Sequence, residues 1–232
     1  MPQTYIRPEI LYAWHGQTLL IVNTRGDCGE DQTFSGFYFR DARHLRILRL
    51  TIDGELPCCS EAAVIEPSML HFDYVHPEMH SFGGGGSGQS GDEMITNDRR
   101  TSHRALDELR ISLEVTNRSQ RKVTFDVGWA LDAVFADIQE AQGVKRQQEA
   151  RVTRDGDGCL VRFRYEHPDL PHETYIPVTG DGDWSVTPDG VAAHLTLGTQ
   201  DTATLALLID PQDLAEPMSP DDVAERERAW AA

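Results

Sequence analysis

The chain has 232 residues and a formal charge of −17. That length fills one large core or two small ones packed together, and so acidic a surface repels nucleic-acid phosphates and anionic lipid headgroups, which argues against both as partners. No apolar run approaches the roughly 20 residues that span a bilayer.

The N-terminal stretch from Met1 to Tyr12 has no basic segment leading into an apolar one, so no signal peptide is expected. Of the four cysteines, Cys58 and Cys59 are adjacent, which fits neither zinc spacing nor a disulfide framework. Reduced thiols in the cytoplasm are the expected state.

In chain order, apolar residues recur at alternate positions. Leu48, Leu50 and Ile52 share one face of a predicted strand, and Asp53-Gly54 supplies a tight turn after it. Leu70, Phe72 and Tyr74 alternate in the same way. Residues 82–91 are glycine- and serine-rich, a flexible loop by composition, and a native loop and an engineered shortening fit equally.

Leu109, Ile111, Leu113 and Val115 form the next predicted strand. It ends at Asn117-Arg118-Ser119, which matches a glycosylation sequon but reads more simply as a turn into Val123, Phe125, Val127 and Trp129. Turn residues recur at Asp155-Gly156-Asp157-Gly158 and Pro188-Asp189-Gly190. Two closing strands carry Val191, Ala193, Leu195 and Leu197, then Ala203, Leu205, Leu207 and Ile209. About a dozen short half-buried strands predict an all-β fold, a large antiparallel β-sandwich rather than a small barrel.

At the C-terminus, Ser219 or Asp221 caps a predicted short helix with Pro220 in its first turn. It reaches Trp230 without a Gly or Asn terminator. The expected organisation is a sandwich domain over 1–215 and a helical linker over 216–232 that leads toward a further domain.

A family likeness rests on ordered segments. Gly36-Phe-Tyr-Phe-Arg40-Asp41-Ala-Arg43-His44-Leu45, followed by Leu50-Thr-Ile-Asp53-Gly54, resembles the opening of the N-terminal domain of glycogen-debranching (amylo-α-1,6-glucosidase-type) glycosidases. Gln17-Thr-Leu-Leu-Ile-Val-Asn and Arg25-Gly26-Asp27 are similar to the strand and turn before it. Leu109–Asn117 resembles the family's central strand, and Ala130–Glu140 its aspartate-rich segment. The chain departs from the pattern at Ala42, Arg46 and Gln142, where Thr, Ser and Arg are usual.

This resemblance implies a super-sandwich packed against a following α/α toroid that carries the glycosidase site, in the same or a separate chain. It implies a non-catalytic accessory role, supporting or rimming that site. An isolated domain, a truncated chain and one half of a split protein all fit.

Glycoside hydrolysis needs two carboxyl groups flanking the bond. Asp132, Asp137 and Glu140 form the best local cluster, and a small hydrolase built on them is one alternative. The competing role for these three is to cap a turn or short helix and to pair with Arg40 or Arg43. Arg40, Asp41, Arg43 and His44 read mainly as a salt-bridge network, with a further role at an interdomain surface or substrate rim; a hydrogen bond from His44 to a sugar hydroxyl is the functional alternative.

An autonomous carbohydrate-binding module is the other alternative, with an α-glucan as ligand. Trp14, Trp129, Trp184 and Trp230 are its candidate stacking rings, Trp184 foremost because it follows the Gly180-Asp-Gly-Asp turn. His71, His76 and His80 lie close together, but Pro77 breaks the helix that a zinc pair needs, so no metal is expected. No nucleotide loop, nucleophile elbow or Cys/His dyad is present, and no cofactor is expected.

Overall fold

The computed structural model describes residues 10–29, 34–76, 97–105, 107–143 and 150–214. The glycine-rich loop at 82–91 and the expected C-terminal helix lie outside the described residues, as do His80 and Trp230.

Strands are numbered in chain order. β1 (Ile10–His15), β2 (Thr18–Asn23), β3 (Gly36–Phe39) and β4 (Ala42–Leu45) form one four-stranded meander. A second four-stranded sheet runs β14 (Asp183–Val186), β15 (Gly190–Leu197), β10 (Val123–Asp132), β5 (Ile47–Ile52). The eight-stranded sheet runs from β11 (Val152–Asp157) through β12 (Leu160–Tyr165), β13 (His172–Gly180) and β16 (Thr202–Asp213) to β9 (Leu109–Asn117). It continues through β8 (Asn97–Ala105) and β7 (Met69–His76) to β6 (Cys58–Glu66) at its edge. One short helix, α1 (Ile138–Ala141), follows β10.

The alternation read from the sequence is the alternation of burial. Leu109, Ile111, Leu113 and Val115 are fully buried, and so, within a few per cent, are Val127, Trp129, Leu205, Leu207 and Ile209. Each such side chain contributes about 1.5–3 kcal/mol by leaving water, so these central strands dominate the stability of the domain. Inner faces of all three sheets meet in one core: Ala13, Leu20 and Phe37 from the first, Leu50 and Val127 from the second, Phe72 and Ile111 from the third. The fold is therefore an all-β sandwich, with the eight-stranded sheet facing the two smaller ones.

The small sheets are stitched together where β10 ends. Arg43 N–H donates to Ala136 O (2.8 Å), Phe135 N–H to Arg43 O (2.9 Å), and Arg46 N–H to Asp132 O (2.8 Å). Close strand packing also fixes Gly190, opposite Ala130, because a Cβ there would lie 1.8 Å from Trp129 O. The sequon is a structural turn. Asn117 is fully buried, its Nδ2 donates to Arg121 O (2.8 Å), Leu197 O (3.2 Å) and Gly198 O (2.9 Å), and its Oδ1 accepts from Ser119 Oγ (2.7 Å).

Two imidazoles sit in the core. Burial pushes His44 down to about 3, with His172 beside it acting in the same direction, and burial alone pushes His103 down to about 3. Burial raises the Asp27 carboxyl to about 6 against the pull of Arg25. The unfolded chain takes protons on both histidines near their ordinary 6.5, whereas the folded chain resists until about 3, so acid favours unfolding across that window. Asp27 opposes this between 6 and its ordinary 3.8, where the folded form holds the extra proton. Two protons against one leave a net loss of stability on acidification, on the order of 1 kcal/mol per pH unit between pH 6 and 4. Urea midpoints should therefore fall between pH 7 and pH 4.5, and fall less in a His103→Phe variant. Equal pH dependence in the two proteins would refute the assignment.

Candidate functional site

The motif-bearing hairpin β3–β4 turns on two residues. Phe39 pairs with Ala42, and Arg40 and Asp41 between them take left-handed φ values of 47° and 66°. A two-residue hairpin with right-handed strand twist favours this mirror-image turn, which Asp tolerates well. Arg40 is held there by its neighbours: its N–H donates to Gln17 O (3.1 Å), its Nε to Gln17 Oε1 (2.9 Å), and its guanidinium pairs with Asp213 (3.0 Å). These contacts bind the tips of both hairpins of the first sheet to the end of β16. The expected pairing of Arg40 with Asp132 or Asp137 is thus corrected, since the turn directs Arg40 to Asp213.

Gly36, which opens the motif, has φ 153°, and a Cβ there would meet Leu45 O at 2.5 Å and Arg43 Cδ at 2.7 Å. Arg43 therefore lies along the strand, half-buried, with Nη1 donating to Ser35 O (3.4 Å), and burial lowers its pKa. His44 faces inward. Its Nδ1 lies 2.9 Å from Thr174 Oγ1, and its ring meets Phe39, Phe135 and His172 edge-on. Fully buried and neutral, His44 has no surface to offer a sugar hydroxyl, which corrects that reading.

The three carboxylates near the end of β10 each have work in the fold. Asp132 pairs with Arg46, one of the residues where the chain departs from the expected pattern. Asp137 is the N-cap of α1, its Oδ1 accepting from Gln139 N–H (2.7 Å) and Glu140 N–H (2.8 Å). Glu140 returns the favour as a capping box, its Oε2 accepting from Asp137 N–H (3.3 Å). Such a cap satisfies donors that the helix itself leaves open.

Trp184 is half-buried and lies stacked against Trp129, centroids 6.0 Å apart at 18°, so one ring face is occupied. Among the described residues, the aromatics that stand out from the surface are Trp14, 58% exposed, and Tyr12, 47% exposed. Trp14 walls a cleft of about 680 Å³ over the outer face of the first sheet, shared with Gln17, Leu19, Tyr38, Arg40 and Asp41. A second cleft, about 660 Å³, is lined by Arg46, Arg49, Asp132, Arg154 and Asp189. Sequence reasoning ranked Trp14 behind Trp184; the alternation of Tyr12 and Trp14 around buried Ala13 was the available signal.

Among the described residues, no group of three or more His, Cys, Asp or Glu is placed to hold a metal ion. No described helix is long and apolar enough to cross a membrane.

The chain matches, over residues 14–207, the family described as the N-terminal domain of (some) glycogen debranching enzymes. It belongs to this family. The match runs from Trp14 near the end of β1 to Leu207 within β16, and includes the Arg40–His44 hairpin and the α1 cap. No curated protein matches the sequence.

Among solved structures, the domain is similar to the Slr1438 protein from Synechocystis sp. PCC 6803, at 9% identity and TM-score 0.53, covering 91% of this chain and 99% of that one. At that identity the likeness is one of fold. The heparinase III BT4657 gene product gives 10% identity and TM-score 0.47, covering 92% of this chain and 36% of that one. A heparan sulfate lyase HepC mutant from Pedobacter heparinus gives 10% identity and TM-score 0.38, covering 86% and 34%.

The roles found for the carboxylates in this debranching-family domain lead to a stability test. Asp137→Ala should lower the free energy of unfolding by about 1 kcal/mol, and Asp137→Asn by much less, because Asn caps nearly as well as Asp. Urea denaturation of the two variants checks this, and equal losses would remove the capping role.

Proposed function

We propose that this domain is a non-catalytic partner of a glycosidase catalytic domain, an α/α toroid in the same or a separate chain, whose active site it supports or rims. The observation that carries this reading is the family match over residues 14–207 combined with the commitment of the candidate carboxylates to the fold. A glycosidase site needs two carboxyl groups facing one another across a substrate groove. The cleft beside Trp14 has a single carboxylate in its lining, Asp41; the second cleft has two, Asp132 and Asp189, of which Asp132 is already engaged by Arg46.

The surface supports a covering neighbour as well. Edge strand β6 exposes Val64 (54%) and Ile65 (55%), with Leu56 just before it. An open sheet edge with bare apolar side chains invites another protein surface. We also assign the domain to the cytoplasm, a placement supported by the exposed, unpaired thiols of Cys58 and Cys159.

The assay is reducing-end release from malto-oligosaccharides and branched α-glucans. The 232-residue chain should release none, and should support hydrolysis only with a toroid domain present. Hydrolysis by the chain alone that disappears on Asp132→Ala or Glu140→Gln would instead establish a small independent hydrolase.

A further inference from the structure

The outer face of the first sheet carries two aromatic side chains that the core does not use, Tyr12 and Trp14. Tyr12 and Trp14 point outward from β1 on either side of buried Ala13, and Trp14 lies opposite Leu19, which lies opposite Tyr38. Trp14, Leu19 and Tyr38 thus form a cross-strand row that is exposed at Trp14, part-buried at Leu19 and buried at Tyr38. α1 covers one end of this face, where Ile138 and Ala141 pack with Ile21 and Tyr38. Among the described residues, the part nearest Trp14 is left open as the cleft of about 680 Å³.

Polar groups stand at one end of the row. The Gly16-Gln17 and Arg40-Asp41 turns form the rim, with the Arg40 guanidinium fixed between Gln17 and Asp213. An arginine already held in place loses little side-chain entropy when a ligand arrives. Asp41 is exposed and presents an acceptor with two oxygens. Few polar groups converging on an aromatic and aliphatic floor are the usual composition of a small-ligand site.

A pyranose ring needs this arrangement. Its C–H face packs on an indole or phenol ring, and its equatorial hydroxyls need donors and acceptors at the ring edge. Electrostatics narrows the class of sugar. Asp213 offsets the charge of Arg40, Asp41 adds a negative charge, and the whole chain carries −17, so sulfated or uronic-acid chains are repelled.

We propose that the Trp14 cleft is a binding site for a neutral α-glucan chain, with Trp14 as its stacking platform and Gln17, Arg40 and Asp41 as its hydroxyl contacts. The choice of an α-glucan rests on the debranching-enzyme reading given above; the site itself rests on its geometry.

The test is calorimetric titration of the 232-residue chain with maltoheptaose, alongside a heparin-derived oligosaccharide. Maltoheptaose should bind and the heparin oligosaccharide should give no heat. Trp14→Ala should weaken maltoheptaose binding at least about tenfold, and Trp14→Tyr should recover part of it. Asp41→Asn, which keeps a residue suited to positive φ, should weaken binding several-fold, and Trp184→Phe should leave it unchanged. Urea midpoints equal to wild type confirm that each variant is folded.

Absence of heat with maltoheptaose in the wild type overturns the site. So does equal affinity in Trp14→Ala, or a loss confined to Trp184→Phe. If Trp14→Ala instead abolishes association with the toroid domain while glucan affinity is unchanged, the face is a protein interface and the proposal fails. These outcomes are independent of the hydrolysis assay. A chain that neither hydrolyses nor binds maltoheptaose removes the glucan site and leaves the accessory role standing.

Discussion

Backbone pairing between Arg43 and residues 135 and 136 decides how the rest of the domain is arranged. A four-stranded meander alone would leave an open edge at β4, and the β14–β15–β10–β5 sheet would end at β5. The extended chain leaving β10 runs beside β4 and fills that edge, so the two small sheets act together as one layer. Only as a joined layer do they face the eight-stranded sheet and close a common core. The same crossing places α1 on the outer face of the first sheet and His44 on its inner side.

Around His44 the layers are held by rings rather than by aliphatic packing. Phe135, which takes a positive φ of 50°, lies parallel to both Tyr165 and His172, and His44 meets it edge-on. Offset-stacked and edge-on ring pairs in the gap between the sheets contribute about 0.5–1.5 kcal/mol each beyond their burial. Buried imidazoles suit that gap only when neutral, which ties the packing of the motif hairpin to the protonation state of its histidine.

What the sequence revealed follows from where each strand lies. Strands β5, β7, β9, β10, β15 and β16 were legible because each has one face in the core, which imposes strict alternation. Strand β6 was not, because at the sheet edge it is mostly exposed and nothing enforces alternation. The assortment of strands into three sheets is a long-range property that no local pattern records. Salt-bridge partners were hidden for the same reason: Arg46 meets Asp132 only because β5 pairs with β10, and Arg40 meets Asp213 only because β16 ends beside the hairpin tip. Trp184 sits after a turn that promises exposure. Its strand, however, pairs with β15 opposite the small residue Ala193, which lets the indole settle against Trp129.

The Asn117 turn has a bearing on how the protein can be made. The amide nitrogen that an oligosaccharyltransferase would modify is the one that holds three main-chain carbonyls together beneath the surface. Transfer of a glycan to a nascent chain takes place before such a turn has closed, and the attached sugar would then have to occupy a space with no room for it. Production in a secretory host would thus divide the product into correctly closed, unmodified molecules and glycosylated ones barred from the native turn, whereas a host without that machinery makes a single species.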